Sequence, residues 1–327
     1  MFWGPLPRPT VRRIGALALP AVIVAGGCVE RPWPDPPAIE EAQFHAEQQT
    51  WRAGREGLLR DSAHSFTHWV ELHPLAEGGT PLGTDSALAV VLPSHAAVGL
   101  AGVVIRAGRE ILFEPAGDRV RLHDGRVATG PVALHSDSLR TPTCLRFGPV
   151  HVWVHDELGR LFIRVADEAA PALAGFRMPE PYPLDARWRV AARMEQFREP
   201  RVRQLLDVTG ELQEWLAPGY LLFRFEGGPH RLLAYQEPGD STTLRLMFRD
   251  PTNAEESYGA GRYLSVPVPD SLGWTVVDFN RSRNPPCAFT PASVCALPPR
   301  ENRLPFAVSA GERRFENPPN TRRYPDE

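Results

Sequence analysis

Tyr220 to Phe248 reads Y-L-L-F-R-F-E-G-G-P-H-R-L-L-A-Y-Q-E-P-G-D-S-T-T-L-R-L-M-F. Three short apolar runs, 220–226, 230–236 and 242–248, follow one another here, too short for buried helices and broken by turn residues, so they predict consecutive strands. Trp188 to Phe197 opens the same region. Upstream, the stretch Pro179-Glu180-Pro181-Tyr182-Pro183 marks a boundary. Before it, glycine, proline and aspartate separate predicted strands over 87–92, 102–105, 110–114, 119–122 and 127–134. Val150 to His155 alternates apolar and polar residues, 156–159 turns and 161–165 returns, which predicts a hairpin. Helical periodicity is nearly absent after residue 65. The expected fold is therefore mainly β: two packed strand-rich units, sandwich-like or small barrels, over 65–180 and 181–315. One helix is expected ahead of them over 38–64, opened by Asp35-Pro36-Pro37 and carrying Phe44, Trp51 and Leu58 in a narrow stripe.

Bulk composition agrees with this architecture and removes several chemistries. The 35 prolines and 27 glycines among 327 residues work against long helices. A net charge of −3 provides no basic field for nucleic acid. Every basic residue other than histidine is arginine; lysine is absent. Schiff-base enzymes, P-loop NTPases and Ser-Lys hydrolases all need a lysine amine and are excluded within the chain. Neither a G-x-S-x-G elbow nor a G-x-G-x-x-G fingerprint occurs.

Residues 1–28 have the layout of a targeting segment. Arg8, Arg12 and Arg13 precede the apolar run 14–24, which ends in Ala25-Gly26-Gly27-Cys28. Small residues before a cysteine at the end of such a run form a lipobox, so Cys28 is the expected lipidation site and the membrane the expected partner. The implied location is extracytoplasmic, in a cell envelope. Acyl chains would hold the protein by about 0.8 kcal/mol per buried CH₂. The proline-rich stretch 29–37 reads as a stiff tether and 316–327 as a polar tail.

The C-terminal third concentrates polar, glycine and proline residues. It reads D-P-T-N-A-E-E-S-Y-G-A-G-R-Y-L from Asp250, V-V-D-F-N-R-S-R-N-P-P-C-A-F from Val276 and C-A-L-P-P-R-E-N-R-L from Cys295. This block resembles a bacterial and archaeal family catalogued as domain of unknown function 1684. The resemblance is strong over 250–312 and extends to the helix stretch around Trp51, Arg52, Arg55 and Glu56. It departs from the family pattern at Asn253-Ala254-Glu255, Ser257 and Arg283, all at turn edges. The resemblance implies a fold and carries no activity.

The block's polar side chains are the candidate ligand-binding residues: Asp250, Glu256, Tyr258, Arg262, Asp278, Asn280, Asn284 and Asn302. Reading 257–266 as a strand puts Tyr258 and Arg262 on one face and Gly259 and Gly261 on the other. An unpaired Arg262 in a cleft would bind a carboxylate or phosphate, so a small anion is the expected ligand; paired with Asp250 or Asp278, it would staple loops together. A hydrolase with Asp250, Glu256 or Asp278 as general base, and an assembly protein with no small-molecule site, are the alternatives.

Cys287 and Cys295 frame a short loop, and a disulfide is the expected state outside the cytoplasm, with two thiols or a metal site as the other readings. No cofactor and no metal are expected. His64 and His68, at i,i+4, read as exposed. His151 and His155 share a strand face about 13 Å apart, too far to chelate one ion. Cys144 reads as a buried filler without a histidine partner in sequence.

Overall fold

A computed structural model describes residues 33–61, 65–139, 141–170, 176–237 and 239–315. The expected targeting segment with Cys28, residues 29–32 of the tether, His64 and the tail from its first residue, 316, lie outside them. The helix α1 spans Glu41–Arg60 and buries Phe44, Gln48, Arg55 and Leu59. Leu58, expected on the buried stripe, is 64% exposed. A straight helix drifts about 20° per heptad against a seven-residue repeat, and by the last turn the inward position has moved to Leu59.

Ten strands follow: β1 Trp69–Pro74, β2 Gly78–Gly83, β3 Val90–Val91, β4 Leu100–Ala107, β5 Glu110–Pro115, β6 Arg121–Leu122, β7 Val132–Ala133, β8 Leu145–Phe147, β9 Val150–Glu157 and β10 Arg160–Asp167. They form two five-stranded sheets, ordered β1-β10-β9-β8-β6 and β3-β2-β4-β5-β7. One apolar cluster draws from both, with Leu82, Val104 and Phe113 from one sheet and Val152, Ile163 and Val165 from the other. Most of the run 87–92 is turn, and only Val90 and Val91 pair, in parallel with β2. The β9–β10 hairpin turns through Leu158 and Gly159, both at positive φ, as a two-residue turn matched to strand twist requires.

β9 alternates cleanly. Val150, Val152 and Val154 enter the core, while His151, Trp153 and His155 share the other face. β10 is buried on both faces from Phe162 onward. Its second face carries Phe162 and Arg164, so a charged residue lies inside an apolar strand.

The remaining strands are β11 Arg189–Leu206, β12 Leu212–Phe225, β13 Gly228–Glu237, β14 Asp240–Phe248, β15 Arg262–Pro267 and β16 Trp274–Asp278. All pair antiparallel in the order β15-β14-β13-β12-β11-β16, and the two edge strands approach to give a nearly closed, barrel-like sheet. Leu232 and Ala234 of β13 face its interior; Leu233 and Tyr235 face outward into a second cluster with Leu59 of α1. Both faces of the central strand are therefore covered, which is why Leu-Leu-Ala-Tyr reads as a continuous apolar run rather than an alternating one.

Beyond β16 the chain is irregular, and short 3₁₀ turns are its regular elements among the described residues. Leu304, Val308 and Ala310 join the interior cluster, whereas Phe289, Cys295 and Leu297 join the outer one. Asn302 stitches this segment to the sheet. Its amide nitrogen donates to the Leu233 and Met247 carbonyls at 2.9 and 2.8 Å, and its Oδ1 accepts from the Leu233 N–H at 2.7 Å. Replacing it by the isosteric Leu strands three buried backbone groups. Asn302→Leu should lower the unfolding free energy by roughly 3 kcal/mol or more in urea denaturation, since each such group costs about 1–3 kcal/mol.

Candidate functional site

Most of the block's polar side chains are consumed in holding the irregular segment to the barrel. Arg262 is fully buried. It bonds Asp250 at 2.7 Å and the carbonyls of Ala310 and Val308 at 2.6 and 2.8 Å. Asp250 Oδ1 in turn accepts from the Thr252 and Val308 N–H groups. The strand expected over 257–266 begins only at Arg262, because Asn253 turns the preceding chain by bonding the Tyr258 carbonyl. Tyr258 thus lies outside the strand, with its hydroxyl on the Cys287 carbonyl at 3.0 Å. Gly261 has φ +103°, and a Cβ there would meet the Phe248 carbonyl at 2.7 Å, a close approach that Gly259 does not need.

Asp278 accepts from Gln48 of α1 at 2.7 Å and from Asn280. Asn280 also brackets the backbone of Asp185 through both its amide atoms. Glu256 is exposed and accepts from the Tyr182 hydroxyl at 3.1 Å. Among these candidates Asn284 stands apart. Its Nδ2 donates to the Arg313 carbonyl at 2.8 Å, its Oδ1 has no partner, and it lines a cavity.

That cavity measures about 370 Å³. Its walls come from α1, β1, the outer face of β9 and β10, the outer face of the barrel and the irregular segment, which supply the guanidinium groups of Arg55, Arg164, Arg245 and Arg283. Aromatic rings of Phe66, Trp69, Trp215 and Tyr263 lie between them. Arg55 is paired with the buried Glu312 at 2.8 Å and Arg245 with Glu237 through Nε at 2.7 Å. His155 sits between Asp137 and Glu157 at 2.7 and 3.1 Å. Burial opposes its charge, but the hydrogen bonds from the two carboxylates outweigh burial and hold its pKa above the ordinary value.

Arg164 and Arg283 have no carboxylate in salt-bridge range. Arg164 is 1% exposed, its Cζ lies 3.4 Å over the Trp69 ring, and its Nε and Nη1 have no hydrogen-bond partner. Burial pulls its pKa down to about 10. Arg283 is half-buried and donates to Ser265 Oγ at 3.1 Å; burial, then the neighbouring Arg245 and Arg55, bring it also to about 10. Both remain charged at neutral pH. A buried, unpaired guanidinium costs free energy that an anion would recover.

The cysteines depart from expectation. Cys287 and Cys295 are both buried and are not joined in a disulfide. Both pack in the outer apolar cluster, and Cys295 Sγ accepts the Cys287 N–H at 3.2 Å. Cys144 does have a histidine nearby: its Sγ is 3.8 Å from His151 Nδ1, and His151 Nε2 is 3.1 Å from Glu168. Burial pushes that thiol up to about 11, so it stays protonated rather than activated. His68 is buried, not exposed, and burial lowers its pKa.

The family model described as "Protein of unknown function (DUF1684)" matches residues 174–313. The solution NMR structure of an uncharacterized protein from Haloarcula marismortui is 30% identical, over 44% of this chain and 80% of that one, with a TM-score of 0.38. No curated protein matches the chain. The chain belongs to the DUF1684 family.

The two kinds of buried arginine predict opposite mutational outcomes. Arg262→Met removes one partner of a fully desolvated pair and should cost about 3–5 kcal/mol in urea denaturation. Arg164→Met removes an unpaired charge and should leave ligand-free stability unchanged or higher by about 1 kcal/mol. His155 adds a pH signature. Its raised pKa means its stabilising contribution is complete below the ordinary histidine value of about 6.5 and fades as pH rises through the folded-state value. The stability gap between wild type and His155→Gln should therefore narrow with rising pH.

Proposed function

We propose that this protein is a lipid-anchored component of a bacterial cell envelope that binds a small anion in the arginine-lined cavity. The single observation that carries the binding site is Arg164: buried, charged, without a carboxylate partner, with two donors that lack a hydrogen-bond partner, and in the lining of a cavity of ligand size. Arg283, from the polar block, is the second unpaired cation. The site thus lies at the edge of the block rather than at Arg262, whose two terminal nitrogens are taken up by Asp250 and two carbonyls and which does not line the cavity. The cell-envelope part rests on the lipobox ending at Cys28. No helix among the described residues is long and apolar enough to cross a membrane.

The hydrolase reading has less behind it. A general base needs a free carboxylate in a cleft; Asp250 and Asp278 are both engaged by buried donors, and Glu256 is exposed, accepts from the Tyr182 hydroxyl and does not line the cavity.

Two measurements test the proposal. Cys28→Ala should move the protein from the membrane to the soluble fraction; retention of the variant in the membrane would remove the lipid anchor. Calorimetric titration of the soluble form beginning at Val29 with phenylacetate should give binding that Arg164→Met and Arg283→Met each weaken by about tenfold or more, the loss of one charge-assisted contact. Equal binding in wild type and both variants, or none in any, would remove the anion site.

A further inference from the structure

Residues lining the cavity carry buried hydrogen-bonding groups of both polarities without partners. The donors are Nε and Nη1 of Arg164 and Nε1 of Trp69, whose ring lies under that guanidinium. The acceptor is Oδ1 of Asn284, a residue only 1% exposed. The orientation of that amide is set independently. Its other atom contacts the Arg313 carbonyl at 2.8 Å, and a carbonyl oxygen only accepts, so the nitrogen must point there and the oxygen is the atom left without a partner. Trp69, Arg164 and Asn284 all line the same space.

Buried polar groups are normally satisfied, and orphans gathered in one cavity describe the ligand that would satisfy them. The arginine and indole donors ask for an anionic acceptor. The Asn284 oxygen asks for a donor. An ammonium is disfavoured in that role, because Arg164 and Arg283, which have no carboxylate in salt-bridge range, line the same walls and repel it, while the lining carboxylate Glu157 is engaged by His155. The donor is therefore neutral, and the rings of Phe66, Trp69, Trp215 and Tyr263 suit an apolar or aromatic body.

Building on the anion-binding reading above, we infer that the ligand is a hydroxylated anion: a small carboxylate or phosphate whose charged group meets Arg164 and Trp69 and whose neutral hydroxyl donates to Asn284 Oδ1. Asn284 is then the specificity-determining residue, and Trp69 a second anchor of the charged group.

The test titrates the soluble form beginning at Val29 with phenylacetate, mandelate and the three isomeric hydroxyphenylacetates, which differ only in the presence and position of one hydroxyl. At least one hydroxylated probe should bind about tenfold or more tighter than phenylacetate, because a site with a buried orphan acceptor discriminates against analogues lacking the donor. Asn284→Ala should erase that preference while leaving phenylacetate affinity as it was. Trp69→Phe keeps an aromatic ring but loses the indole N–H together with the second ring, so it should weaken every probe by a similar factor. Should Asn284→Ala fail to fold, the wild-type ranking alone decides. Phenylacetate bound as tightly as every hydroxylated isomer, with Arg164→Met still abolishing binding, would overturn the hydroxyl inference and leave the anion site standing. No binding of any probe would overturn both.

Discussion

The Arg262 side chain is the constraint on which the rest of this structure depends. It emerges from the first residue of an edge strand, and its guanidinium is fully buried between Asp250 and the carbonyls of Val308 and Ala310. Those contacts join the end of β14, the start of β15 and a segment nearly fifty residues further on (|i−j| of 46 and 48). Such a segment, without strand or α-helix, cannot satisfy its own backbone, so side chains must do it. Arg262, Asp250 and Asn302 supply that satisfaction, and Gly311 at φ +80° lets the returning chain come within contact of the Ser282 carbonyl. Arg283, Asn284 and Ser293, all in the wall of the cavity, belong to the segment fastened in this way.

Against that background the arginines of the cavity and of the staple divide by energetics rather than by position. Arg55 and Arg245 each have a carboxylate, and Arg262 has both a carboxylate and carbonyls. Arg164 has an aromatic ring beneath it and no carboxylate. A stacked ring returns part of the desolvation cost of a cation, on the order of 2 kcal/mol when buried, well short of the several kcal/mol that burying an ion takes. A methionine of similar volume would fill the same space at no such cost. The guanidinium at this place is therefore a cost in the ligand-free state that only a function, or a contact formed on binding, offsets.

Much of the fold could be read from the chain. The strand-rich character, the β9–β10 hairpin, the run of β12 to β14 and the leading helix all follow from period and turn chemistry. Strands β1, β2, β8 and β16 could not: Gly78 to Gly83 is G-G-T-P-L-G, and its place in a sheet comes from its neighbours rather than from propensity. The candidate residues of the block were visible as a cluster, yet sequence does not show whether a buried polar residue is satisfied. Asp250, Arg262, Asn280 and Asn302 turned out to bind the protein's own backbone. Arg164 was missed, although a signal was present. An arginine inside the strand L-F-I-R-V-A is either on a solvated face or buried for a reason, and β10 is buried on both faces.

The walls of the cavity come from two parts of the chain. Arg245, Tyr263, Arg283 and Asn284 fall within the residues matched to the DUF1684 family, 174–313. Arg55, Trp69, His155 and Arg164 fall before them. The matched part builds the barrel, the staple and the acceptor of Asn284. The unmatched part adds the helix, the stacked Trp69–Arg164 pair and the histidine held by Asp137 and Glu157. The matched span therefore accounts for the barrel and for more than half of the wall, whereas Arg164 comes from outside it. On the proposed reading, ligand preference is then set jointly by both parts of the chain, where α1 and the sheet that holds β1, β9 and β10 meet the outer face of the barrel.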